Sequence, residues 1–298
     1  CIREYKKDTI LTPLCMVGEV SLECVIPLVT AKLINAIQEG CEMAQLLRYG
    51  LFLVLLAMGS MACGVLSGWF CASASSGFAR NLRHDMYYKV QEFDFANIDR
   101  FSTASIVTRL TSDVATIQMT FQMMIRMAIR CPMMLILALV SAMGISVRLS
   151  LVYCVALPIL ICALLCLIPK VFRIFDRVFR TYDKMNNVVQ ENVHGIRVVK
   201  SFVREDYEEK KFKNVSEDIY DDFVKAEKLL AFNAPLMQFA AYGCMLFISW
   251  FGAKLIVAST MTTGELTSLI AYTMQILMSL MMLSMVFVMV TMSAASAE

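Results

Sequence analysis

Two long uncharged runs enclose the most charged segment of this chain. Leu149–Ile168 and Ala231–Gly252 contain no Asp, Glu, Lys or Arg, whereas the segment between them includes Gln190–Phe212, QENVHGIRVVKSFVREDYEEKKF. An uncharged run of about 20 residues is long enough to cross a bilayer as a helix. A charged side chain at the centre of such a helix costs about 2.5–3.5 kcal/mol. The enclosed segment must therefore project into water between two membrane-spanning helices, and we interpret it as a lever on which a partner acts.

The composition supports a membrane protein and argues against other classes. Hydrophobic residues make up 58% of the chain and charged residues only 17%. The net charge of +2 is too small to indicate a nucleic acid partner. The two histidines, His84 and His194, are far apart and have no metal-ligand spacing. Most cysteines lie in apolar runs without a Cys-X-X-Cys pair, so we expect small apolar side chains rather than a disulfide framework or a metal site.

The apolar and amphipathic patterns predict six long helices, at about 10–37, 46–92, 111–147, 149–200, 208–257 and 264–297. At about 1.5 Å per residue the second helix would be roughly 70 Å long. The hydrocarbon core takes only about 30 Å of that length. We therefore predict an all-α membrane protein with six transmembrane helices, of which four continue into two deep helical hairpins outside the membrane.

The distribution of Lys and Arg orients these helices. Most basic residues belong to the two long excursions, whereas the opposite side holds only Lys32, Arg48, Arg148 and Lys254. Cytoplasmic segments of membrane proteins carry the excess of Lys and Arg. We therefore predict a multi-pass protein of the cell membrane with cytoplasmic hairpins and both termini inside.

Two polar segments resemble the cytoplasmic loops of one transporter class. In Phe101–Gln118 the matching residues are Arg109, Leu110, Ser112 and Asp113, while Ala104 stands where many members have glycine. The second and more specific match is the pattern E-x-x-x-G-I-x-V-V-K-x-F-x-x-E, formed by Glu191, Gly195, Ile196, Val198, Val199, Lys200, Phe202 and Glu205. These segments, together with the tail SAASAE, are similar to the transmembrane domain of ABC exporters of the type IV fold, the multidrug and lipid exporter class. The resemblance covers essentially the whole chain.

The resemblance implies how the hairpins act. In this family each hairpin ends in a short coupling helix, and the second one docks in a groove of the partner's ATPase domain, with Phe202 as the expected apolar anchor. Closure of the ATPase domains on ATP is then transmitted by the long helices, and the expected assembly is a domain-swapped dimer. The residues that this resemblance assigns to the first coupling helix are Ile98, Asp99, Arg100, Phe101, Ser102, Thr103 and Ala104. Those assigned to the second are Ser201, Phe202, Val203, Arg204, Glu205, Asp206 and Tyr207.

The ATPase itself is absent from this sequence. The nearest approach to a phosphate-binding G-x-x-x-x-G-K-[ST] motif is Gly59–Gly64, which Val65 and Leu66 follow within an apolar helix, so we reject it. No cofactor is expected in this chain, and ATP and Mg²⁺ are expected in a nucleotide-binding domain elsewhere. The abrupt ending favours a chain cut from a longer protein over a subunit with a separate ATPase. The expected partners are a second transmembrane domain, ATPase domains, the bilayer and a hydrophobic substrate. The opening YKKDTILTPL and the NIDRFSTAS loop resemble one half of heterodimeric exporters more than homodimeric ones.

Two carboxylates within the first span are the sharpest candidates for substrate recognition. Glu19 and Glu23 lie one helical turn apart, and a carboxylate in a span usually faces a cavity, a partner or water. One hypothesis is recognition of a cationic amphiphile. The alternative is that both lie near the membrane edge or hydrogen-bond to a neighbouring helix.

Methionine and arginine supply further candidates. A methionine face is pliable and suits a promiscuous pocket, although ordinary packing or lipid contact gives the same pattern. Arg126 and Arg130, one turn apart, could contact lipid headgroups or an anionic substrate, or extend to the interface as long side chains do. The methionines on the sixth helix are Met274, Met278, Met281, Met285, Met289 and Met292, and a less regular set on the third is Met119, Met123, Met127 and Met134.

Three functions remain open from the sequence. The leading hypothesis is the membrane part of an ATP-driven exporter of drugs, lipids or peptides. The second is a proton-coupled secondary transporter that uses Glu19 or Glu23, which leaves the deep hairpins unexplained. The third is a membrane scaffold or sensor that moves no solute. The full-length protein is expected to be an ATP-hydrolysing translocase, although this chain has no catalytic centre of its own.

Overall fold

The computed structural model describes residues 2–94 and 103–297, and within them all regular structure is helical. A single 3₁₀ turn, Arg3–Tyr5, precedes the first long helix. A short helix, Thr103–Thr108, and a π turn, Arg109–Asp113, lead into the third. The six long helices are α1 (Lys6–Gln38), α2 (Met43–Gln91), α3 (Val114–Ile145), α4 (Val147–Ser201), α5 (Glu205–Val257) and α6 (Thr263–Ala297). The predicted all-α architecture is confirmed.

Five helical segments are long and apolar enough to cross a membrane: Arg3–Gln38, Met43–Gln91, Ile106–Ile145, Pro235–Val257 and Thr263–Phe287. The remaining predicted span, Leu149–Ile168, overlaps the shorter apolar helix Val147–Cys162. The chain is therefore a multi-pass membrane protein.

The helices that were predicted to leave the membrane are continuous. The helix α2 has 49 residues and α4 has 55. At about 1.5 Å per residue they measure roughly 70 and 80 Å, more than twice the hydrocarbon thickness of about 30 Å. The residues after Gly77 and after Pro169 continue as helix rather than folding into separate lobes.

Two helical segments begin earlier in the chain than predicted, because polar residues that were expected to precede them are part of the helix. The first helix begins at Lys6 rather than Ile10, and helical structure before α3 begins at Thr103 rather than Thr111. The hydroxyl group of Thr111 donates to the carbonyl of Val107 at 2.7 Å, which allows this residue inside the helical stretch instead of at its start.

The chain divides into two compact units, residues 1–156 with 241–298, and residues 157–240. In the first unit α1, α2, α3 and α6 pack against one another. Their buried side chains include Met16, Val20, Ile276 and Leu280. The α2–α3 contact includes a stacked aromatic pair, Phe78 and Phe121, with ring centroids 4.5 Å apart.

The second unit is a hairpin of α4 and α5. Val178, Ile219 and Ala226 are buried in it. The rings of Tyr182 and Phe223 meet edge to face at 6.1 Å. Such contacts hold a long hairpin as one body without further elements.

Three of the long helices end in the same backbone motif. At the end of α4 the amide of Arg204 donates to Val199 and that of Val203 to Lys200, and the ends of α1 and α5 repeat this pattern. This double hydrogen bond is the Schellman motif, which places one residue in the left-handed region. That residue is Gly40 after α1 (φ 78°), Ser259 after α5 (φ 56°) and Val203 after α4 (φ 51°). A β-branched residue in this region is strained.

Replacing Val203 by Gly is expected to stabilise the hairpin tip by about 1 kcal/mol, because the left-handed conformation costs an ordinary residue about 1–2 kcal/mol and glycine almost nothing. Val203 is 82% exposed, so little packing is lost. Amide hydrogen exchange at the tip measures the effect. The control is Val193→Gly, at an exposed position inside α4. This variant should be less stable than the unmodified protein, since glycine weakens a helix interior by up to about 1 kcal/mol. Faster exchange at the tip of Val203→Gly would contradict the assignment of strain.

Hydrogen bonds within the first turn of α6 and hydrogen bonds from α1 both stabilise the start of α6. The amide of Thr262 donates to the carboxylate of Glu265 at 2.8 Å, and the amide of Glu265 to the hydroxyl of Thr262 at 3.3 Å, which together form a capping box. The side chain of Asn35 accepts the amide of Gly264 at 2.9 Å and donates to Thr262 at 3.0 Å. These bonds set the position of α6 along α1.

Candidate functional site

A three-residue charge cluster joins α1 to α3 within the predicted spans. The guanidinium of Arg130 donates through Nη1 to Glu19 and through Nη2 to both oxygens of Glu23, at 3.0 and 2.9 Å. Both carboxylates thus hydrogen-bond to a neighbouring helix. Pairing with a guanidinium is the usual way in which a charge is retained inside a membrane protein.

Glu19 is the buried member of the cluster. Its residue exposure is 8%, and its carboxylate lies against Gly64 of α2, where a Cβ atom would come within 3.1 Å of it. The Oε2 atom of Glu19 is buried and has no hydrogen-bond partner among the described residues. Gly64 therefore makes room for Glu19, which is held between three helices.

Arg126, one turn before Arg130 on α3, does not join this cluster. Its Nη1 lies 3.8 Å from the position of a Cβ on Gly68 of α2, and its Nε is buried without a hydrogen-bond partner among the described residues. Arg130 forms an internal ion pair instead of the predicted contact with lipid headgroups or an anionic substrate. For Arg126 a contact with headgroups or an anion stays a prediction.

Two adjoining cavities lie where α1, α3 and α6 meet. The first has a volume of about 500 Å³ and a mostly apolar lining that also carries the polar side chains of Glu23, Thr30, Thr267, Ser268 and Gln275. The second has a volume of about 320 Å³, and sulfur-containing side chains dominate its lining. They are Met127, Cys131, Met134, Met274, Met278 and Met282, beside Arg130. Met134 and Gln275 line both cavities.

Only part of the predicted cavity set lines these spaces. Glu23 lines the first cavity, and Met274 and Met278 line the second. Glu19 is paired with Arg130 and lines neither cavity. Met281 and Met285 are 41% and 60% exposed and line neither cavity. The other predicted methionines that line neither are Met119, Met123 and Met289, and the side chain of Met292 lies outside the described part of the structure.

The lining residues that the sequence interpretation missed include Met282 and Gln275. Gln275 carried a usable signal, since it is a large polar side chain in a helix without charges after Glu265. Met282 carried none, because α6 has methionines on several sides and its sequence does not say which side faces α3.

The first predicted coupling segment is only partly described. Ile98, Asp99, Arg100, Phe101 and Ser102 lie outside the described residues, and Thr103 and Ala104 belong to the short helix Thr103–Thr108. The motif residues Arg109 and Leu110 stand in the π turn. They line a cavity of about 190 Å³ together with Met86, Lys89, Val90, Phe93 and Ile106. The family-like motif thus lies against the end of α2.

The second predicted coupling segment differs from expectation in its local structure. Instead of a separate short helix over Ser201–Tyr207, α4 runs to Ser201, Phe202–Arg204 form a tight turn and α5 begins at Glu205. The Schellman hydrogen bonds end α4 so closely that the chain reverses within three residues. Phe202 is 74% exposed at this turn.

Ion pairs tie the two sides of the hairpin tip together. Lys200 and Glu205 lie 3.0 Å apart across the turn, and Lys211 of α5 lies 2.6 Å from Glu191 of α4. The backbone amide of Glu205 and then the ammonium of Lys200 lower the pKa of the Glu205 carboxyl. The hydrogen bond to Glu191 raises the pKa of Lys211.

The lowered pKa of the Glu205 carboxyl predicts that the hairpin tip loosens in acid. A carboxyl whose pKa is lowered on folding stabilises the fold above its ordinary titration range, and this contribution is lost as the pH falls through the lowered pKa. Amide exchange at the tip should therefore accelerate on acidification relative to the middle of the hairpin. Glu205→Gln should remove most of this dependence. An unchanged pH profile in that variant would contradict the role of Glu205. The effect is expected to be small, since the pair is exposed to solvent.

Comparison with known proteins identifies the class. Residues 9–281 match the family model described as the ABC transporter transmembrane region. The chain belongs to this family, and its helical architecture, with five candidate membrane spans in the described residues, is that of an ABC exporter transmembrane domain of the type IV fold.

The relatives are longer proteins. The chain is 28% identical over 283 residues to the uncharacterized ABC transporter ATP-binding protein YfiB of Bacillus subtilis, covering 95% of this chain and 49% of that protein. It is 24% identical over 297 residues to the uncharacterized ABC transporter ATP-binding protein Rv1273c of Mycobacterium tuberculosis, covering 100% of this chain and 51% of the relative. With the ATP-dependent lipid A-core flippase of Acinetobacter baylyi it shares 25% identity over 238 residues, 80% of this chain and 41% of the flippase. The chain thus spans about half the length of the curated relatives it matches.

Proposed function

We propose that this chain is the membrane-spanning part of an ATP-driven exporter that moves amphipathic compounds, such as lipids, drugs or peptides, from the cytoplasm or inner leaflet outward. The observation that carries the proposal is the continuity of α2, a helix of 49 residues without proline that begins as a membrane span and runs on into polar residues. Such a helix carries a displacement from its polar end to its membrane span.

The cavities at α1, α3 and α6 supply a place for such a compound. A cavity of about 500 Å³ that carries five polar side chains lies beside a methionine-lined cavity of about 320 Å³, and the pair matches a molecule with one polar and one apolar part. Flexible thioether side chains adapt to apolar groups of different shape. The name of the Acinetobacter relative, a lipid A-core flippase, agrees with an amphipathic substrate.

The ATPase partner would act on the hairpin tips. In this proposal Phe202 is the apolar anchor of the second tip, and Ser201–Tyr207 together with the segment at 98–104 form the coupling surfaces. ATP and Mg²⁺ would be held by ATPase domains beyond this chain, as the names of the ATP-binding relatives suggest. A second transmembrane domain, in a domain-swapped homo- or heterodimer, would complete the pathway, with both termini in the cytoplasm.

The test uses the full-length protein in liposomes, with ATPase activity measured while amphiphiles are added. We expect stimulation in the unmodified protein. Phe202→Ala should abolish stimulation while the protein stays folded, since the lever loses its anchor. Tyr220→Ala removes an aromatic side chain of similar exposure from the same hairpin and should leave stimulation intact. If no lipid, drug or peptide alters ATP hydrolysis, the proposal fails.

The proton-coupled alternative receives no support from the geometry. Both carboxylates that it requires, Glu19 and Glu23, are bonded to Arg130. Transport that collapses with the proton gradient and ignores ATP would nevertheless favour it.

A further inference from the structure

The two cavities differ in the hydrogen-bonding groups that they offer. In the larger one the hydroxyl of Thr30 donates to Ile26 at 2.9 Å and that of Thr267 donates to Thr263 at 2.9 Å. The hydroxyl of Ser268 donates to the carbonyl of Pro27 at 2.6 Å. Each hydroxyl has one hydrogen to donate. These three groups therefore remain available to a ligand only as acceptors.

Two further acceptors complete this lining. The carboxylate of Glu23 has no hydrogen to donate when ionised and retains lone pairs beyond the two bonds from Arg130. The side-chain carbonyl of Gln275 is buried and has no hydrogen-bond partner among the described residues. A buried polar atom without a partner costs about 1–3 kcal/mol. The side chain of Gln275 as a whole is half-buried and lines both cavities, so a rotation of this side chain presents the carbonyl to a ligand donor, and the new hydrogen bond recovers that cost.

The charge of the surrounding groups favours a ligand with a positive charge. Glu19 and Glu23 share the single guanidinium of Arg130, which leaves one negative charge in the cluster. Arg126 lies against Gly68 of α2 and lines neither cavity. Apart from the NH2 group of Gln275, an anionic group in the larger cavity would meet the carboxylate of Glu23 and hydroxyl acceptors, whereas a cation with N–H groups would meet acceptors for its hydrogens.

We infer that the larger cavity binds the head of an amphiphile with a protonated primary or secondary amine, and that Gln275 selects it over quaternary ammonium compounds. The apolar tail then occupies the adjoining methionine-lined cavity, because Gln275 and Met134 line both spaces. The inference rests on the proposed binding of amphiphiles in this cleft and names their head group. Methylation of every N–H removes the donors that Gln275 requires while keeping the positive charge.

The experiment measures equilibrium binding to the full-length protein in lipid nanodiscs without ATP. The probes are decylamine, decyltrimethylammonium and decyl sulfate, each corrected for partition into protein-free nanodiscs. We expect decylamine to bind about tenfold more tightly than decyltrimethylammonium, in line with a hydrogen bond to a charged group, and decyl sulfate to bind most weakly.

The decisive variant is Gln275→Met, which keeps the side-chain length and removes the carbonyl. This variant should bind decylamine about tenfold more weakly and should bind decyltrimethylammonium as the unmodified protein does. Gln122→Met is the matched control, because Gln122 is exposed on α3 and lines neither cavity. Three results would overturn the inference. Gln275→Met could weaken the binding of both cations equally, or decyl sulfate could bind more tightly than the cations. The third is that no probe binds because a second copy of the chain covers the cleft.

The two proposals fail in different ways. If ATP hydrolysis responds to no amphiphile while decylamine still binds in a Gln275-dependent manner, the exporter proposal fails and the head-group site stands. If amphiphiles stimulate ATP hydrolysis but show no preference for N–H groups, the exporter proposal stands and the inference about Gln275 fails.

Discussion

Replacing Arg130 by Met is expected to lower the free energy of unfolding by about 3 kcal/mol or more. The change leaves Glu19 and Glu23 without their shared partner, and removing one side of a largely buried ion pair costs about 3–5 kcal/mol. The cost arises mainly from the uncompensated carboxylates rather than from the lost hydrogen bonds. Unfolding of the full-length protein in detergent, followed by circular dichroism, measures it.

Two further variants separate charge from packing. The triple variant Arg130→Met, Glu19→Gln and Glu23→Gln should recover much of the lost stability, because a neutral set needs no counter-charge. Arg126→Met, one turn away on the same helix, should cost less than 1 kcal/mol, since the described structure gives Arg126 no ion pair. If the single Arg130 variant is as stable as the unmodified protein, or the triple variant is no better than the single, the cluster does not stabilise the α1–α3 contact.

Replacing Gly264 by Ala is expected to cost about 2–3 kcal/mol and to shift the start of α6. A Cβ at this position would overlap the backbone of Ala31, with the carbonyl carbon at 2.8 Å, and would lie 2.6 Å from the side chain of Asn35. Backbone cannot rotate away as a flexible side chain does, so the helices must separate. The separation would also weaken the bonds from Asn35 to Gly264 and Thr262.

The matched control is Gly144→Ala in α3. A Cβ at Gly144 meets no atom within 4 Å, and alanine is favoured over glycine in a helix by up to about 1 kcal/mol. This variant should be neutral or slightly more stable in the same thermal unfolding assay. Equal melting temperatures for the Gly264 and Gly144 variants would show that α1 and α6 do not approach as closely as the geometry requires.

The sequence by itself determined that the chain is helical and that some helices are longer than a bilayer is thick. Uncharged runs placed the spans, and the charged continuations required helices longer than the bilayer, which α2 and α4 are. These features are local, because the cost of a charge in hydrocarbon applies residue by residue and helix length follows from residue number. Two loop motifs were sufficient to identify the family. The exception was the second coupling segment, where the family resemblance implied a short helix and the backbone hydrogen bonds at Val203 and Arg204 instead form a tight turn.

Only the tertiary structure decided which side chains meet. Among the described residues, Glu19 and Glu23 share Arg130 as their ion-pair partner, which lies more than a hundred residues away, and the space for Glu19 comes from a glycine on a third helix. The methionines of α6 illustrate the reason: Met282 faces the cavity and Met281 does not. An apolar helix has no polar side to mark its orientation, so its rotation about its own axis is set by packing against its neighbours, and that is a property of the assembled bundle.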